Sequence, residues 1–217
     1  ADLSQMSSSL TQYMYELGAE SDNRASPLIN SFLAATFNGY GCWCYFDDRV
    51  GKGKGEPVNA YDAACKTLHG GYECVVADMA AQSIACEPWQ ETYLEPTLTD
   101  LQNLGPASAC AQMNGEDCPK LACTVEKQFL LDFMAISASS VPDDFATLNH
   151  ENGFDTQTGC PVRQGTQSPE KSCCGEYPSR FPFKTLGGAR VCCPSAGLTY
   201  NSANFECCGD EIKPSCD

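Results

Sequence analysis

The sequence predicts two unlike parts, a mainly α-helical one stapled by disulfides and then a small cysteine-rich one of short β-strands and turns. Three observations carry this. The 217-residue chain has 16 cysteines, and they divide evenly around a polar stretch: eight from Cys42 to Cys123 and eight from Cys160 to Cys216. Before that stretch apolar residues recur at helical steps. After it the cysteines come in adjacent pairs among Gly, Pro, Ser and Asn, a composition of turns and short strands. Even numbers in each part are what separate disulfide frameworks would give. No cysteine pair shows the two-residue spacing of a zinc knuckle. Cross-linking on this scale belongs to an oxidising compartment, so the chain is expected to be secreted and extracellular, with Ala1 following a removed signal peptide.

Taken in order, residues 1–26 form an N-terminal arm or short helix, because Met6, Leu10, Tyr13, Met14 and Leu17 fall at roughly helical steps in a Ser-rich segment. Ser26-Pro27 reads as an N-cap with proline in the first turn, opening a helix through Phe37 that turns Leu28, Ile29, Phe32 and Leu33 inward. That begins a helical domain spanning 27–140. Gly51, Gly53 and Gly55 make a loop from which Pro57 fixes the exit. From Asn59 to Tyr72 there is no proline, and Tyr61, Ala64, Cys65, Leu68 and Tyr72 give a helix one buried stripe that Val75, Val76 and Met79 continue. Glu87 to Cys110, with Pro88, Pro96 and Pro106, reads as irregular, its Trp89 and Tyr93 placed in the core. A second long helix runs from Asp117 to Ile136 with Leu121, Val125, Phe129, Leu130 and Phe133 inward. Residues 141–159 are polar and read as a linker, in which His150 is a solvated loop residue. In the module at 160–217 adjacent cysteines are expected to bond to different partners, since a ring closed between neighbours is strained. Tyr177 to Phe183 and Leu198 to Asn201 read as strands, and Arg180, Lys184 and Arg190 as ordinary solvated charge. So few aliphatic residues leave the module dependent on its cross-links.

The net charge of −15 is concentrated in residues 1–145, which carry 20 acidic and 7 basic side chains. Such a surface repels phosphate backbones and anionic lipid, which excludes nucleic acid as a partner class and leaves calcium or cationic partners. No apolar run approaches the roughly 20 residues that cross a bilayer, and the chain is expected to be soluble.

The stretch from Tyr40 to Cys74 resembles the secreted phospholipase A2 family. Tyr40-Gly41-Cys42-Trp43-Cys44 and Gly53-Lys54-Gly55-Glu56-Pro57-Val58 match its Tyr-Gly-Cys-x-Cys and Gly-x-Gly-x-Pro-Val elements. Residues 28–75 carry the resemblance well and 110–135 faintly. It implies a fold of disulfide-linked helices of phospholipase A2-like type, a pairing of Cys44 with Cys65, and a calcium loop whose weak candidate ligands here are Trp43, Tyr45, Asp47 and Asp48. Catalysis of this kind needs a histidine to take a proton from water, an aspartate to orient it, and calcium to polarise the carbonyl. An ungapped register from Pro57 puts Leu68 in the catalytic histidine's place and His69 in that of the calcium-binding aspartate. Counting from Cys65 instead places His69 correctly, with Gly70 then replacing the aspartate. The double-cysteine tail is similar in its spacing to galaxin-like extracellular matrix repeats.

These readings favour a secreted, non-enzymatic phospholipase A2-like protein. It would be a structural, matrix or binding component assembled through its tail, with an extracellular protein, a matrix component or another copy of itself as partner. A calcium-dependent phospholipase with His69 as general base and Tyr72 beside it is the alternative, and it alone would work at a membrane surface. A toxin or receptor ligand on the same scaffold is the third reading.

Overall fold

A computed structural model describes residues 2–17, 37–46, 50–139, 147–162 and 170–217. The helix expected from Pro27 into the thirties, Asp47 and Asp48, and the first part of the expected linker lie outside the described residues. The molecule is a helical N-terminal part with disulfide-linked helices, followed by a small region of short antiparallel hairpins.

Helix α1 spans Leu3–Glu16, its first turn capped by the Asp2 carboxylate, which accepts from the Gln5 amide at 2.8 Å. Met6, Leu10, Tyr13 and Met14 turn inward as their spacing predicts, while Leu17 stays exposed. Helix α2, Ala60–Ala81, starts at Asn59, whose side chain accepts from the Asp62 amide, and buries Tyr61, Ala64, Cys65, Leu68, Tyr72, Val75 and Met79. The segment expected to be irregular holds two short helices, α3 at Leu98–Leu104 and α4 at Pro106–Met113. The correction has a local cause: Thr97 and Asp100 form a capping box that starts α3, and Pro106 sits in the first turn of α4, where a missing N–H costs nothing. Helix α5, Asp117–Ser139, buries Val125, Phe129, Leu130 and Phe133.

Helices α2 and α5 are the structural spine. Tyr61 lies edge-on to Phe133 with ring centroids 5.0 Å apart, and further along α2 the Tyr72 hydroxyl donates to Glu126 at 2.7 Å, so the two helices run antiparallel. At Gly71 a Cβ would lie 3.0 Å from Val125, so the glycine sets how closely the helices approach. Phe37, Phe46 and Phe129 complete an aromatic core with Phe133. Cys86–Cys118 ties the segment after α2 to α5, Cys110–Cys123 ties α4 to α5, and Cys44–Cys65 ties the loop before α2 to α2 itself.

The C-terminal strands are β1 (Lys171–Cys174) with β2 (Phe181–Lys184), β3 (Arg190–Cys193) with β4 (Leu198–Asn201), and β5 (Glu206–Cys208) with β6 (Glu211–Lys213), three separate antiparallel hairpins. All sixteen cysteines are bonded, and two bonds cross between the parts, Cys42–Cys160 and Cys74–Cys173. Separate frameworks are thereby corrected: an exchange of two bonds keeps both counts even, so parity alone does not detect it.

The Lys127 side chain on α5 is fully buried between the Tyr13 and Tyr93 rings, ion-paired to Glu95 and donating to Ser9 Oγ at 3.1 Å. Glu95 is partly exposed and also accepts from Gln5 and Ser9, so the cost of removing Lys127 is the lost ion pair together with the void left between the two rings, about 2 kcal/mol. Urea unfolding is therefore expected to show Lys127→Ala destabilised by about that much, and Lys127→Met combined with Glu95→Gln destabilised by less.

Candidate functional site

The Tyr40–Tyr45 loop is wound around one carboxylate. Asp62, in the first turn of α2 and fully buried, accepts hydrogen bonds from the amides of Cys42 (2.9 Å), Trp43 (2.7 Å) and Val58 (2.9 Å). Burial pushes its carboxyl above the ordinary range, against the downward pull of these amides. Gly41 has φ +59°, and a Cβ there would stand 2.6 Å from the carboxylate, so only glycine lets the loop close on Asp62.

With the Cys42 and Trp43 amides given to Asp62, the carbonyls around it are used internally. The Trp43 carbonyl accepts from the Tyr45 amide at 2.8 Å, and the Gly55 carbonyl accepts from the Trp43 indole at 3.0 Å. The Tyr45 carbonyl accepts from His69 Nε2 at 2.7 Å. A carbonyl only accepts, so Nε2 of His69 carries the proton and Nδ1 keeps its lone pair. Burial holds the imidazole below its ordinary pKa, so it is neutral near pH 7. Nδ1 has no hydrogen-bond partner among the described residues. His69 helps to wall a cavity of about 390 Å³ with Trp43, Gly53, Tyr72 and Trp89.

His69 and Tyr72 both face inward from α2, with ring centroids 6.5 Å apart. They are not joined as a catalytic pair. The Tyr72 hydroxyl instead donates to Glu126, which also receives the Tyr93 hydroxyl. Glu126 is fully enclosed and burial raises its pKa, while burial and the neighbouring carboxylate push the Tyr93 phenol well above its usual value. The sequence reading missed this carboxylate because Glu126 lies within an apolar stripe and its partners are 54 and 33 residues away. Leu68, in the slot that the ungapped register gives to a catalytic histidine, is packed in the core.

His150 is corrected from a solvated loop residue to part of the site. Its Nε2 donates to the Gly41 carbonyl at 2.7 Å, leaving Nδ1 to accept from the Tyr45 hydroxyl at 3.1 Å. The backbone follows, with Gly41 N donating to Leu148 O and His150 N to Gly39 O. Residues 147–160 thus lie along the loop, closed by Cys42–Cys160. Both histidines of the chain dock on this one turn.

A calcium ion asks for six to eight oxygens. At this turn the carboxylate of Asp62 and the carbonyls of Trp43, Tyr45 and Gly55 each already accept hydrogen bonds, which leaves each of them fewer lone pairs for an ion. Among the described residues one group of metal-type side chains converges, Glu206 with Cys208 and Cys216, and its two sulfurs are bonded to each other.

No protein-family model matches this chain, and no curated protein matches its sequence.

A histidine with a lowered folded pKa binds its proton in the unfolded chain first, so its contribution is complete above the ordinary value of 6.5 and declines as pH falls below it. Stability curves of the wild type and His69→Gln are expected to diverge over that interval, with the wild type losing more on acidification. Equal slopes would place the proton on His69 in the folded state.

Proposed function

We propose that the chain is a non-enzymatic extracellular protein of phospholipase A2-like type, serving as a structural, matrix or binding component with its double-cysteine tail as the assembly module. One observation carries the reading: the hydrogen bond from His69 Nε2 to the Tyr45 carbonyl. It joins the candidate general base directly to a candidate calcium ligand. Among the described residues the imidazole then has no carboxylate to orient it and stabilise its charged form, and the carbonyl already holds a donor. Eight disulfides and the absence of any helix long and apolar enough to cross a membrane among the described residues support the extracellular placement. The tail's cross-linked hairpins support a mechanical or assembly role.

A hydrolytic reading is favoured by a separate feature, the neutral His69 with an unpartnered Nδ1 in a cavity wall. The deciding experiment is hydrolysis of zwitterionic phospholipid vesicles with millimolar calcium against a chelator control. No calcium-dependent turnover is expected, and calorimetry is expected to show no calcium binding. Turnover lost in His69→Ala would establish the enzyme instead. On the assembly side, size-exclusion chromatography over a range of salt and calcium is expected to show self-association. A monomer under every condition would leave only a heterologous partner for the tail.

A further inference from the structure

The first hairpin of the tail is clamped onto the outer face of α2. Asp78 receives Arg180 through two hydrogen bonds, at 2.8 and 3.1 Å, and the Tyr177 hydroxyl at 2.8 Å. Lys171 pairs with Glu73 at 2.7 Å, and Cys74–Cys173 lies between these contacts. Pro182 sits directly over Gly70, where a Cβ would be 3.0 Å from its ring. Arg180 is thereby corrected from ordinary solvated charge to part of a docking contact.

Between hairpin and helix remains a cavity of about 430 Å³, within the range of small-molecule sites. Trp43, Phe181, Pro182 and Phe183 give it apolar walls. Its charged residues are Lys66, Lys171, Arg180 and Lys184 against Glu73 alone. In a chain of net charge −15 with 13 basic residues, four cations at one cavity are a local inversion of the protein's field. Lys171 and Arg180 are used in clamping the hairpin. Lys66 and Lys184 are not: Lys66 lies over the Trp43 ring at 5.1 Å, and neither lysine forms an ion pair among the described residues.

We propose that this cavity binds a small organic anion with a flat apolar body, the body lying among Trp43, Phe181 and Phe183 and the anionic group between the ammonium groups of Lys66 and Lys184. An apolar cavity takes the body by burial, and two ammonium groups outside any ion pair among the described residues supply charge-assisted hydrogen bonds that an uncharged analogue cannot receive. The cavity adjoins the Trp43 and His69 side chains of the turn described above, and its other wall is the tail hairpin, so it exists only because the tail covers α2. It stands independently of whether the tail assembles copies of the chain.

The test is a fluorescence titration of the intact protein with 1-anilinonaphthalene-8-sulfonate and with its uncharged counterpart N-phenyl-1-naphthylamine. Saturable binding of the sulfonate is expected, about tenfold weaker in Lys66→Ala/Lys184→Ala, with weak binding of the neutral probe that the double variant leaves unchanged. Lys120→Ala/Lys213→Ala removes the same charge elsewhere and is expected to bind the sulfonate as the wild type does. Equal affinity of wild type and Lys66→Ala/Lys184→Ala for the sulfonate, equal affinity for the two probes, or equal loss in both double variants would overturn the site. Because Lys66 and Lys184 form no ion pair among the described residues and Lys66 gives up only its contact with the Trp43 ring, their removal is expected to shift the unfolding midpoint little, which separates lost binding from lost structure.

Discussion

The buried carboxylate of Asp62 is the constraint from which the rest of this molecule follows. An isolated charge in a protein interior is costly, and its cost is met here by drawing in backbone amides from two sides, Cys42 and Trp43 from the loop and Val58 from the approach to α2. That demand shapes the loop. It forces Gly41 into the left-handed region, where a side chain would collide with the carboxylate. It also places Cys44 beside Cys65, whose Cα atoms stand 5.0 Å apart, within reach of a disulfide. Replacing Asp62 would therefore release the turn, not merely one hydrogen bond.

A turn that commits its Cys42 and Trp43 amides to Asp62 leaves its carbonyls to find other partners, and these decide what the site can do. In an ion-binding loop they would converge on a metal. Here Trp43, Tyr45 and Gly55 each direct a carbonyl to a donor of the same protein. His69 and His150 act as struts: one donates to Tyr45 and the other to Gly41, and the Tyr45 hydroxyl closes the ring onto His150. The aromatic edge of Trp43 against His69, with centroids 6.2 Å apart, seals the same corner. Two histidines, a residue type associated with catalysis, have been used to complete backbone hydrogen bonding.

What the sequence revealed follows the range of the interactions. The stripe from Tyr61 through Met79 and the face from Val125 to Phe133 were legible because a helix repeats its burial every three or four residues, and core packing acts on that same period. Helices α3 and α4 were hidden by prolines taken as breakers, although Pro106 is a helix opener when it stands in the first turn. His150 and Glu126 were illegible for another reason. Their partners lie 105 and 54 residues away, and no local pattern marks a side chain whose function is set by distant contacts. Arg180 is the same case across 102 residues. The cross-bonds Cys42–Cys160 and Cys74–Cys173 preserve even counts on either side and leave no trace in composition.

The tail shows how little core a structure needs when covalent links replace it. Among its described residues from 170 onward only Cys174, Phe183 and Cys193 are buried. Order comes from a covalent relay: Cys173 reaches back to Cys74 while its neighbour Cys174 reaches forward to Cys192, Cys193 continues to Cys207, and Cys208 closes on Cys216. Each adjacent pair thus spends one sulfur on the preceding unit and one on the next, because neighbouring strand residues point to opposite faces and their sulfurs diverge. The relay is anchored at its first member, on α2, beside the Asp78–Arg180 contact. Force or displacement applied to the last hairpin is therefore carried by covalent bonds to the helix that holds Asp62 and His69, and the hairpins can be strung outward without any of them having to fold a core of its own.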